Sequence, residues 1–296
     1  PRSTLFPYTT LFRSMLFLTR IPHSAAVNSA VTLVKTHCKN PRAAGMVNGI
    51  LRSMERSLQN MPVIPQGDPV AYLSTLYSHP EWLVKEFILS LGEEETAQML
   101  AADNSQPPTA VMVNTTRTTA EELKAMLEAD HVEAEPHPWL ENCLLLHRTG
   151  DLERLEAFQQ GLFYVQDPAS RLSVLAAGAK PGMKVLDCCA APGGKSFAAA
   201  IAMENQGEIV SCDLHPHKKK LIQAGADRLG LTIISPKTAD GKVFRPEWES
   251  AFDLVLVDAP CSGLGVIRKK PDIRYKDPAP LAALPAGQLD VLRNAA

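Results

Sequence analysis

The stretch that decides the fold is MKVLDCCAAPGGKS, residues 183–196. It reads as a short apolar strand, a turn of small residues with two glycines, and a helix near 195–204. The same order returns downstream, where a strand predicted over 208–213 precedes a helix predicted over 216–229. Strands and helices that alternate in this way predict a doubly wound α/β domain with a parallel sheet.

Two further strands complete the predicted sheet. TII at residues 232–234 is the third strand, and DLVLVD at residues 253–258 is the fourth. The fourth is a continuous apolar run, which is typical of a strand buried on both faces of a parallel sheet. We predict this Rossmann-like domain over 151–296. Because no cap closes its last helix, we expect the domain to be incomplete at its C-terminal end.

The residues before this domain follow other patterns. Residues 15–60 carry apolar stripes at helical spacing, but too few helices to close a core alone. A proline-rich linker over 61–67 follows. Residues 68–150 combine strands with helices, one of them opened by a capping box that begins at Thr118, and they predict a small α+β ferredoxin-like unit. Residues 1–14 show no structural period and no signal-peptide layout, and we interpret them as a foreign segment.

The composition of the chain limits the classes of protein to which it can belong. The chain has 296 residues, a formal charge of −2, 45% hydrophobic and 21% charged residues. These values exclude wholesale disorder and predict about two domains. With so small a net charge, any nucleic-acid surface must be local. Six cysteines without a C-x-x-C pair favour free thiols in a reducing, cytoplasmic setting. We predict neither a membrane nor a metal partner.

The residues that carry chemistry follow the predicted strands. Ligands of an open α/β sheet bind beyond the carboxyl ends of its strands. Asp213 ends the second strand, Asp240 follows the third and Asp258 ends the fourth. Acids at successive strand ends predict a nucleoside pocket, with Asp213 on the ribose and Asp240 on an adenine amino group. The turn after the first strand consists of Cys189, Ala190, Ala191, Pro192, Gly193, Gly194 and Lys195.

Cys261 differs from the other cysteines. It follows a proline just beyond the fourth strand, beside Asp258 and before a glycine-rich stretch. We therefore interpret Cys261 as a functional thiol. Cys188 and Cys212 are expected to pack as small hydrophobic residues.

Other interpretations stay open. Asp213 could be a helix cap, and Asp240 could belong to a plain turn. A P-loop ATPase is the main rival, because Gly194-Lys195-Ser196 fits the end of a Walker A motif. However, the first glycine of that motif would fall at Cys189, and Pro192 removes an amide donor from the phosphate cradle.

A local basic stretch follows Cys261. Five basic residues and one acidic residue lie between positions 261 and 276. Phosphate contact is predicted there, with a solvated loop as the alternative. The residues proposed for RNA contact are Arg268, Lys269, Lys270 and Arg274. The run Lys218-Lys219-Lys220 fits a solvated helix face better.

Two motifs resemble those of a known family. DCCAAPGGK at 187–195 and DAPCSGLG at 258–265 resemble the RsmB-type ribosomal RNA cytosine-5 methyltransferases, which use S-adenosylmethionine (SAM). YVQDPAS at 164–170 resembles the stretch that introduces their catalytic domain. Residues 68–147 resemble their RNA-binding unit, and residues 21–58 resemble the tail of their NusB-like helical domain, whose first helices we expect to be missing.

The resemblance implies a role for each site residue. The turn from Cys189 to Lys195 would wrap the methionine part of SAM, while Asp213 would hold the ribose and Asp240 the adenine. Asp258 would lie between the cofactor and the target cytosine of the small-subunit RNA. That cytosine must be unpaired or extruded, and a cysteine thiolate adds to its C6 so that C5 can take the methyl group.

The resemblance also bears on the nucleophile. The family uses two cysteines, of which Cys261 matches the one that assists product release. The nucleophile of the family lies in a Thr-Cys motif after the next strand, and this sequence has no cysteine after Cys261. We therefore expect that the chain as given does not complete methyl transfer, unless Cys261 substitutes. The alternative function is an RNA- and SAM-binding protein without turnover.

Overall fold

The computed structural model describes residues 22–37, 41–57, 63–147 and 149–296. The chain divides into two compact units, Pro1–Leu76 and Tyr77–Ala296. The segment that we interpret as foreign, residues 1–14, lies outside the described residues. No helix in the described ranges is long and apolar enough to cross a membrane.

The first unit contains a pair of amphipathic helices. α1 spans His23–His37 and α2 spans Pro41–Ser57. Their buried side chains recur every three or four residues, as the sequence predicts for helices that share one apolar face. These side chains are Ala26, Val27, Ala30, Val34, Ala44, Val47 and Leu51. α3 follows over Pro69–Tyr77, and the Asp68 carboxylate accepts a hydrogen bond from the Val70 N–H at 3.0 Å.

The second unit begins with helices and an antiparallel sheet. Two helices come first, α4 (Glu81–Leu91) and α5 (Glu93–Asp103). Then follow β1 (Thr109–Val113), α6 (Ala120–Ala129), β2 (Glu133–Pro136), β3 (Cys143–His147), α7 (Glu156–Gln159) and β4 (Phe163–Val165). The strand order is β2-β3-β1-β4, and all neighbours are antiparallel. This is the split βαβ arrangement of ferredoxin-like units, so the predicted fold of this segment is confirmed.

The sheet of this unit continues past the boundary predicted at residue 150. β4 pairs with β1 through Met112 and Tyr164, so residues 163–165 belong to the first sheet. Alternate residues of the sheet face opposite ways. One face packs on α6 and α7, while Tyr164 on the other face meets Phe197 of the next domain edge-on at 6.0 Å. Pairing between distant segments decides this boundary, and local composition does not reveal it.

The capping box of α6 is displaced by one residue from its predicted position. The Thr119 hydroxyl accepts from the Glu122 N–H at 3.2 Å, and the Glu122 carboxylate accepts from the Thr119 N–H at 3.1 Å. The prediction that the box begins at Thr118 is wrong, because the sequence TTAEE fits the motif in both registers. The Thr118 hydroxyl instead donates to Glu122 at 3.1 Å.

The second domain of this unit has the predicted parallel sheet. Its elements are α8 (Pro168–Ala177), β5 (Lys184–Asp187), α9 (Gly194–Ala202), β6 (Glu208–Asp213), α10 (Pro216–Leu229), β7 (Ile234–Thr238), β8 (Leu254–Leu256) and α11 (Leu284–Ala295). The strand order is β7-β6-β5-β8, with every neighbouring pair parallel. The chain runs from β5 outward to β7 and then crosses back to β8 on the other side of β5, so the order reverses between β5 and β8. This is where a doubly wound sheet opens its ligand crevice.

The third strand lies further along the chain than predicted. β7 begins at Ile234, because the Thr232 N–H bonds to the Asn205 side chain at 2.9 Å and keeps the preceding residues in a turn. β7 is an edge strand whose buried Ile234 and Pro236 alternate with exposed residues. An edge strand tolerates a proline because it pairs on one side only.

The fourth strand is shorter than predicted. β8 covers three residues and, among the described residues, pairs only with β5. Asp253 lies outside the strand and accepts a hydrogen bond from the Lys184 N–H at 2.7 Å. Leu254 and Val255 are half-buried. The expectation that this strand is buried on both faces is therefore wrong for these residues.

Candidate functional site

The turn after β5 is shaped by its glycines. Gly193 has φ of +118°, and a Cβ at this position would collide with the Phe197 ring. A side chain is therefore excluded there on both backbone and steric grounds. At Gly194 a Cβ would lie 3.3 Å from the Gln166 side-chain nitrogen. The turn thus presents bare backbone at the N-terminus of α9, a place that suits a polar ligand.

A buried carboxyl group lies beneath this turn. Asp187 is fully buried, and its Oδ2 accepts a hydrogen bond from the Ser196 hydroxyl at 2.7 Å. The Ser211 hydroxyl donates to Ser196 at 2.7 Å. Burial raises the pKa of Asp187 to about 6, although hydrogen bonds from Ser196 and the Cys189 backbone oppose that shift. The chain of hydrogen bonds ties β5, α9 and β6 together where the turn leaves the sheet.

Sequence reasoning missed the two serines of this network. Ser211 interrupts an otherwise apolar strand, and Ser196 follows directly on the glycine-lysine end of the turn. A polar residue inside a buried strand signals a hydrogen-bonded partner, since an unpaired hydroxyl there is costly. That signal was present in the sequence.

Lys195 and Asp258 connect the turn to the end of β8. The Lys195 ammonium donates to Asp258 Oδ2 at 2.5 Å. The Lys195 side chain is 19% exposed, whereas the Asp258 side chain is 54% exposed. The ion pair therefore lies at the mouth of the site, where its carboxylate can still be reached from solvent.

Asp213 and Asp240 both accept hydrogen bonds from the backbone just after them. Asp213 is 8% exposed, and its Oδ1 accepts from the His215 N–H at 2.9 Å. Its Oδ2 lies 3.6 Å from the Lys218 ammonium. Asp240 Oδ1 accepts from the Lys242 N–H at 2.9 Å. The turn interpretation of Asp240 describes a real contact, whereas Asp213 does not cap α10, whose N-cap is His215. Each carboxylate has further acceptor sites for a ligand.

The predicted acids converge on one point of the turn. Burial raises the pKa of the Cys189 thiol to about 11, and the charges of four aspartates add to the shift. In order of effect these are Asp187, Asp213, Asp258 and Asp240. Asp187 and Asp213 end the adjacent parallel strands β5 and β6. Asp240 follows β7 and Asp258 follows β8, so all four acids lie at the edge of the sheet from which the turn leaves. The structure thus brings the sequence-predicted acids together around the glycine-rich turn.

The cysteines differ sharply in their surroundings. Burial raises the pKa of both Cys188 and Cys212 to about 12, as expected of core thiols. Among the described free cysteines, Cys261 is the exposed one. Its loop is anchored by Gln288 of α11, whose side chain donates to the Pro260 carbonyl at 3.0 Å. A thiol that is to meet a large substrate has to be accessible, and Cys261 satisfies this condition.

The basic stretch divides into an exposed part and a buried part. Arg268, Lys269 and Lys270 are exposed, and the Lys269 ammonium lies 2.6 Å from Asp167 Oδ2. Arg274 is only 3% exposed. The prediction that Arg274 contacts RNA is therefore wrong, because a buried guanidinium cannot reach a phosphate.

Arg274 instead holds the loop against the start of the second unit. Its guanidinium donates to the Asn104 side chain at 2.9 Å and to the Ser78 carbonyl at 3.2 Å. It also donates to the Pro271 carbonyl at 3.1 Å. A fully charged side chain tolerates burial when its donors are satisfied in this way.

A separate cavity opens on another part of the parallel sheet. It has a volume of about 790 Å³ and lies on the sheet face next to α11, lined by Trp248, Phe252 and Val255. Asp240 contributes to its wall, but none of residues 189–195 does. The candidate site is therefore defined by the aspartates at the strand ends and not by the volume of a cavity.

Family models match the chain in three consecutive segments. Residues 174–296 match the 16S rRNA methyltransferase RsmB/F family. Residues 79–153 match the RsmF/B-like ferredoxin-like domain, and residues 12–56 match the NusB family. The NusB match begins at residue 12 and so overlaps the end of the segment that we interpret as foreign.

Curated relatives carry a consistent name. The chain is 41% identical to the probable ribosomal RNA small subunit methyltransferase B of Bacillus subtilis, over 95% of this chain and 63% of the relative. It is 33% identical to the ribosomal RNA small subunit methyltransferase B of Vibrio cholerae, over 92% of this chain and 62% of the relative. The chain therefore spans a little over three fifths of the length of these relatives.

Solved structures show the same architecture. The protein PH0851 superimposes with a TM-score of 0.80 at 26% identity, covering 96% of this chain and 64% of PH0851. NSun6 from Pyrococcus horikoshii, solved with SFG, superimposes with a TM-score of 0.65 at 19% identity, covering 74% of this chain and 80% of NSun6. At that identity the likeness to NSun6 shows the fold alone.

Proposed function

Because the chain belongs to the RsmB/F family of 16S rRNA methyltransferases, we propose that it binds SAM around Cys189 and serves methyl transfer to C5 of a cytosine in small-subunit ribosomal RNA. The observation that carries this proposal is the position of four aspartates after adjacent parallel strands, where the Lys195–Asp258 ion pair joins the glycine-rich turn to the segment after β8. Family membership argues against the P-loop ATPase alternative. The proposed substrate places the activity in the cytoplasm.

The residues of the pocket fit the groups of SAM. The turn offers backbone N–H groups at the N-terminus of α9, because Gly193 (φ +118°) and Gly194 carry no side chains there. Asp213 is proposed to accept from the ribose hydroxyls and Asp240 from the adenine amino group, each with acceptor sites beyond its backbone contact. Lys195 and Lys218 pair with two of the four aspartates, and the remaining excess of negative charge complements the positive charge of SAM. When bound, SAM supplies an electrophilic methyl group.

Asp258 and Lys195 are proposed to handle the cytosine. The ion pair holds the half-exposed carboxyl group of Asp258 in one place, where it can stabilise the proton that N3 of the ring takes up when a thiolate adds to C6. Fixing a charged group before the substrate arrives avoids a cost of reorganisation during the reaction. Arg268, Lys269 and Lys270 are proposed to contact phosphates of the RNA.

Cys261 is the thiol proposed to meet the cytosine. A thiolate that adds to C6 makes C5 nucleophilic, and elimination after methylation requires a base that removes the C5 proton. If Cys261 adds to C6, the chain as given can complete methyl transfer. If Cys261 only assists product release, methyl transfer needs a second cysteine. An RNA- and SAM-binding role without turnover is the alternative function.

Two measurements test the proposal. Calorimetric titration should show binding of SAM and no binding of ATP, and the reverse result would reject the cofactor assignment. Incubation with tritiated SAM and unmodified small-subunit RNA then tests the reaction. Label at C5 of cytosine that Cys261→Ala abolishes would make Cys261 the nucleophile. Label that appears only after extension to the full length of the relatives would support a second cysteine.

A further inference from the structure

A second cleft lies between the ferredoxin-like sheet and the loop that follows Cys261. Its volume is about 310 Å³, at the lower end of the roughly 300–1,000 Å³ range of small-molecule sites. We call it the flanking cleft. Its principal walls are Pro107, Pro108, His137, Pro168, Gly265 and Arg268. Residues from four separate segments therefore shape one concave surface.

The lining combines flat apolar surfaces with positive charge. The three prolines offer rigid faces that lose little conformational entropy when a ligand packs on them. The His137 ring is in edge-on contact with Trp139 at 4.4 Å, and its buried Nδ1 has no hydrogen-bond partner among the described residues. Arg268 is exposed at the rim, and it donates to the Gln106 carbonyl at 3.4 Å. A guanidinium has five N–H donors, so most of its capacity remains for a ligand.

One ion pair lies at the proposed cytosine site and another at the wall of this cleft. Lys195 pairs with Asp258, and Lys269 pairs with Asp167, which lines the cleft. Partial burial would raise the pKa of Asp167, but hydrogen bonds from Lys269 and the Ala169 backbone and the charges of Lys269 and Lys195 together lower it. Gln166, the residue before Asp167, lies against the glycine-rich turn, since a Cβ added at Gly194 would be 3.3 Å from its side-chain nitrogen. The wall of the cleft is thus joined to the turn that carries Lys195, the partner of Asp258.

We propose that the flanking cleft binds one unstacked nucleotide adjacent to the target cytosine, with its base against the prolines and His137 and its phosphate on Arg268. This inference rests on the proposed function. A base enters such a cleft only from a single strand, because stacking and pairing keep it inside a duplex. The charge of Arg268 complements a phosphate, and the half-buried His137 ring lines the cleft as a surface on which the base can pack.

The test fills the cleft without disturbing its walls. A Cβ added at Gly265 meets no atom within 4 Å, and this glycine lines the cleft, so Gly265→Leu should fold and place its side chain in the space of the base. We expect its affinity for a short labelled single-stranded RNA, measured by fluorescence anisotropy, to fall by at least about fivefold, the scale of one lost base-stacking contact. Arg268→Ala should weaken binding to a similar degree and reduce its dependence on salt.

Matched controls isolate the cleft. Gly45→Leu adds the same side chain in open space on α2, and Arg154→Ala removes one exposed positive charge far from the loop in sequence. Both should bind the RNA as the wild type does. Duplex RNA of the same sequence should bind more weakly than the single strand, and Gly265→Leu should remove most of that difference.

Crosslinking locates the base directly. Single-stranded RNA that contains 4-thiouridine should crosslink to peptides holding residues 107–110, His137 or 265–269, and Gly265→Leu should suppress those crosslinks. Unchanged affinity of Gly265→Leu, or crosslinks only elsewhere, would overturn the inference. If the wild type binds SAM and RNA and Gly265→Leu binds the RNA equally well, only this inference fails. If the wild type binds neither, the proposed function fails first.

Discussion

The turn after β5 and the loop after β8 form the two sides of the site, and they are held by different forces. The turn rests on glycine backbone and on the buried Asp187-Ser196-Ser211 hydrogen bonds. The loop is anchored at one end by the buried Arg274 and elsewhere by exposed ion pairs such as Lys269–Asp167. Buried networks hold a geometry rigidly, whereas exposed pairs are weak and sensitive to salt.

This difference fits what each side is proposed to bind. A small cofactor makes few contacts, and these cannot offset the free energy that rearrangement of the pocket would cost. Binding of a small cofactor therefore favours a preformed pocket. A long RNA offers many phosphate contacts and tolerates a surface that adjusts. The comparison predicts that substitutions at buried anchors lower stability, while those at exposed pairs change RNA binding.

The largest effect is expected at the buried anchor of the loop. Arg274→Ala leaves the Asn104 side chain and backbone carbonyls without their donor, so the free energy of unfolding should fall by about 4 kcal/mol. Urea unfolding of Arg268→Ala, an exposed residue of the same basic stretch, should stay within about 0.5 kcal/mol of the wild type. Equal effects for the two arginines would contradict the assigned anchor.

The buried carboxyl beneath the turn should make stability depend on pH. The folded-state pKa of Asp187 is about 6, raised from 3.8 by burial, so the folded chain binds the proton more tightly than the unfolded chain. Its contribution is full below the unfolded pKa and is lost as pH rises, by about 3 kcal/mol between about pH 4 and pH 7. Asp187→Asn keeps a hydrogen-bond acceptor for Ser196 but cannot ionise. The difference in unfolding free energy between variant and wild type should therefore change across this range, and a constant difference would refute the burial argument.

The cofactor side should respond to Asp213. Asp213→Ala removes a charged acceptor from the proposed ribose site, and hydrogen bonds to charged groups contribute roughly 1.5–3 kcal/mol each. SAM affinity measured by calorimetry should fall at least about tenfold. Asp151→Ala, an exposed acid in a distant ion pair, is the matched control and should leave SAM affinity unchanged. A folded Asp213→Ala protein with wild-type affinity would remove Asp213 from the site.

The smallest effect on stability is expected at the exposed ion pair of the loop. Lys269→Ala breaks the contact with Asp167, and exposed pairs of this kind contribute about 0–1 kcal/mol. Thermal unfolding should change little, and added salt should reduce the difference further. A loss of stability comparable to that of Arg274→Ala would show that the exposed ion pair holds the loop as firmly as the buried anchor does.

Much of the site could be predicted from local sequence. The glycine-rich turn and the acids Asp213, Asp240 and Asp258 follow from strand ends, because parallel strands bring their carboxyl ends to one edge. The hydrogen-bonded roles of Ser196 and Ser211 were missed, although a serine inside a buried strand was a usable signal. The burial of Arg274 could not be predicted, since two of its acceptors, Asn104 and Ser78, lie about 170 or more residues away along the chain.

By itself, the sequence determined the order of the helical, ferredoxin-like and Rossmann-like segments, together with the turn that links β5 to α9. Hydrophobic period and turn chemistry are local properties, and they are written in neighbouring residues. Tertiary structure alone decided that β4 joins the first sheet, that Arg274 is an anchor and that Lys195 faces Asp258. Each of these depends on which distant segments meet, because burial and charge pairing arise only when the chain has packed.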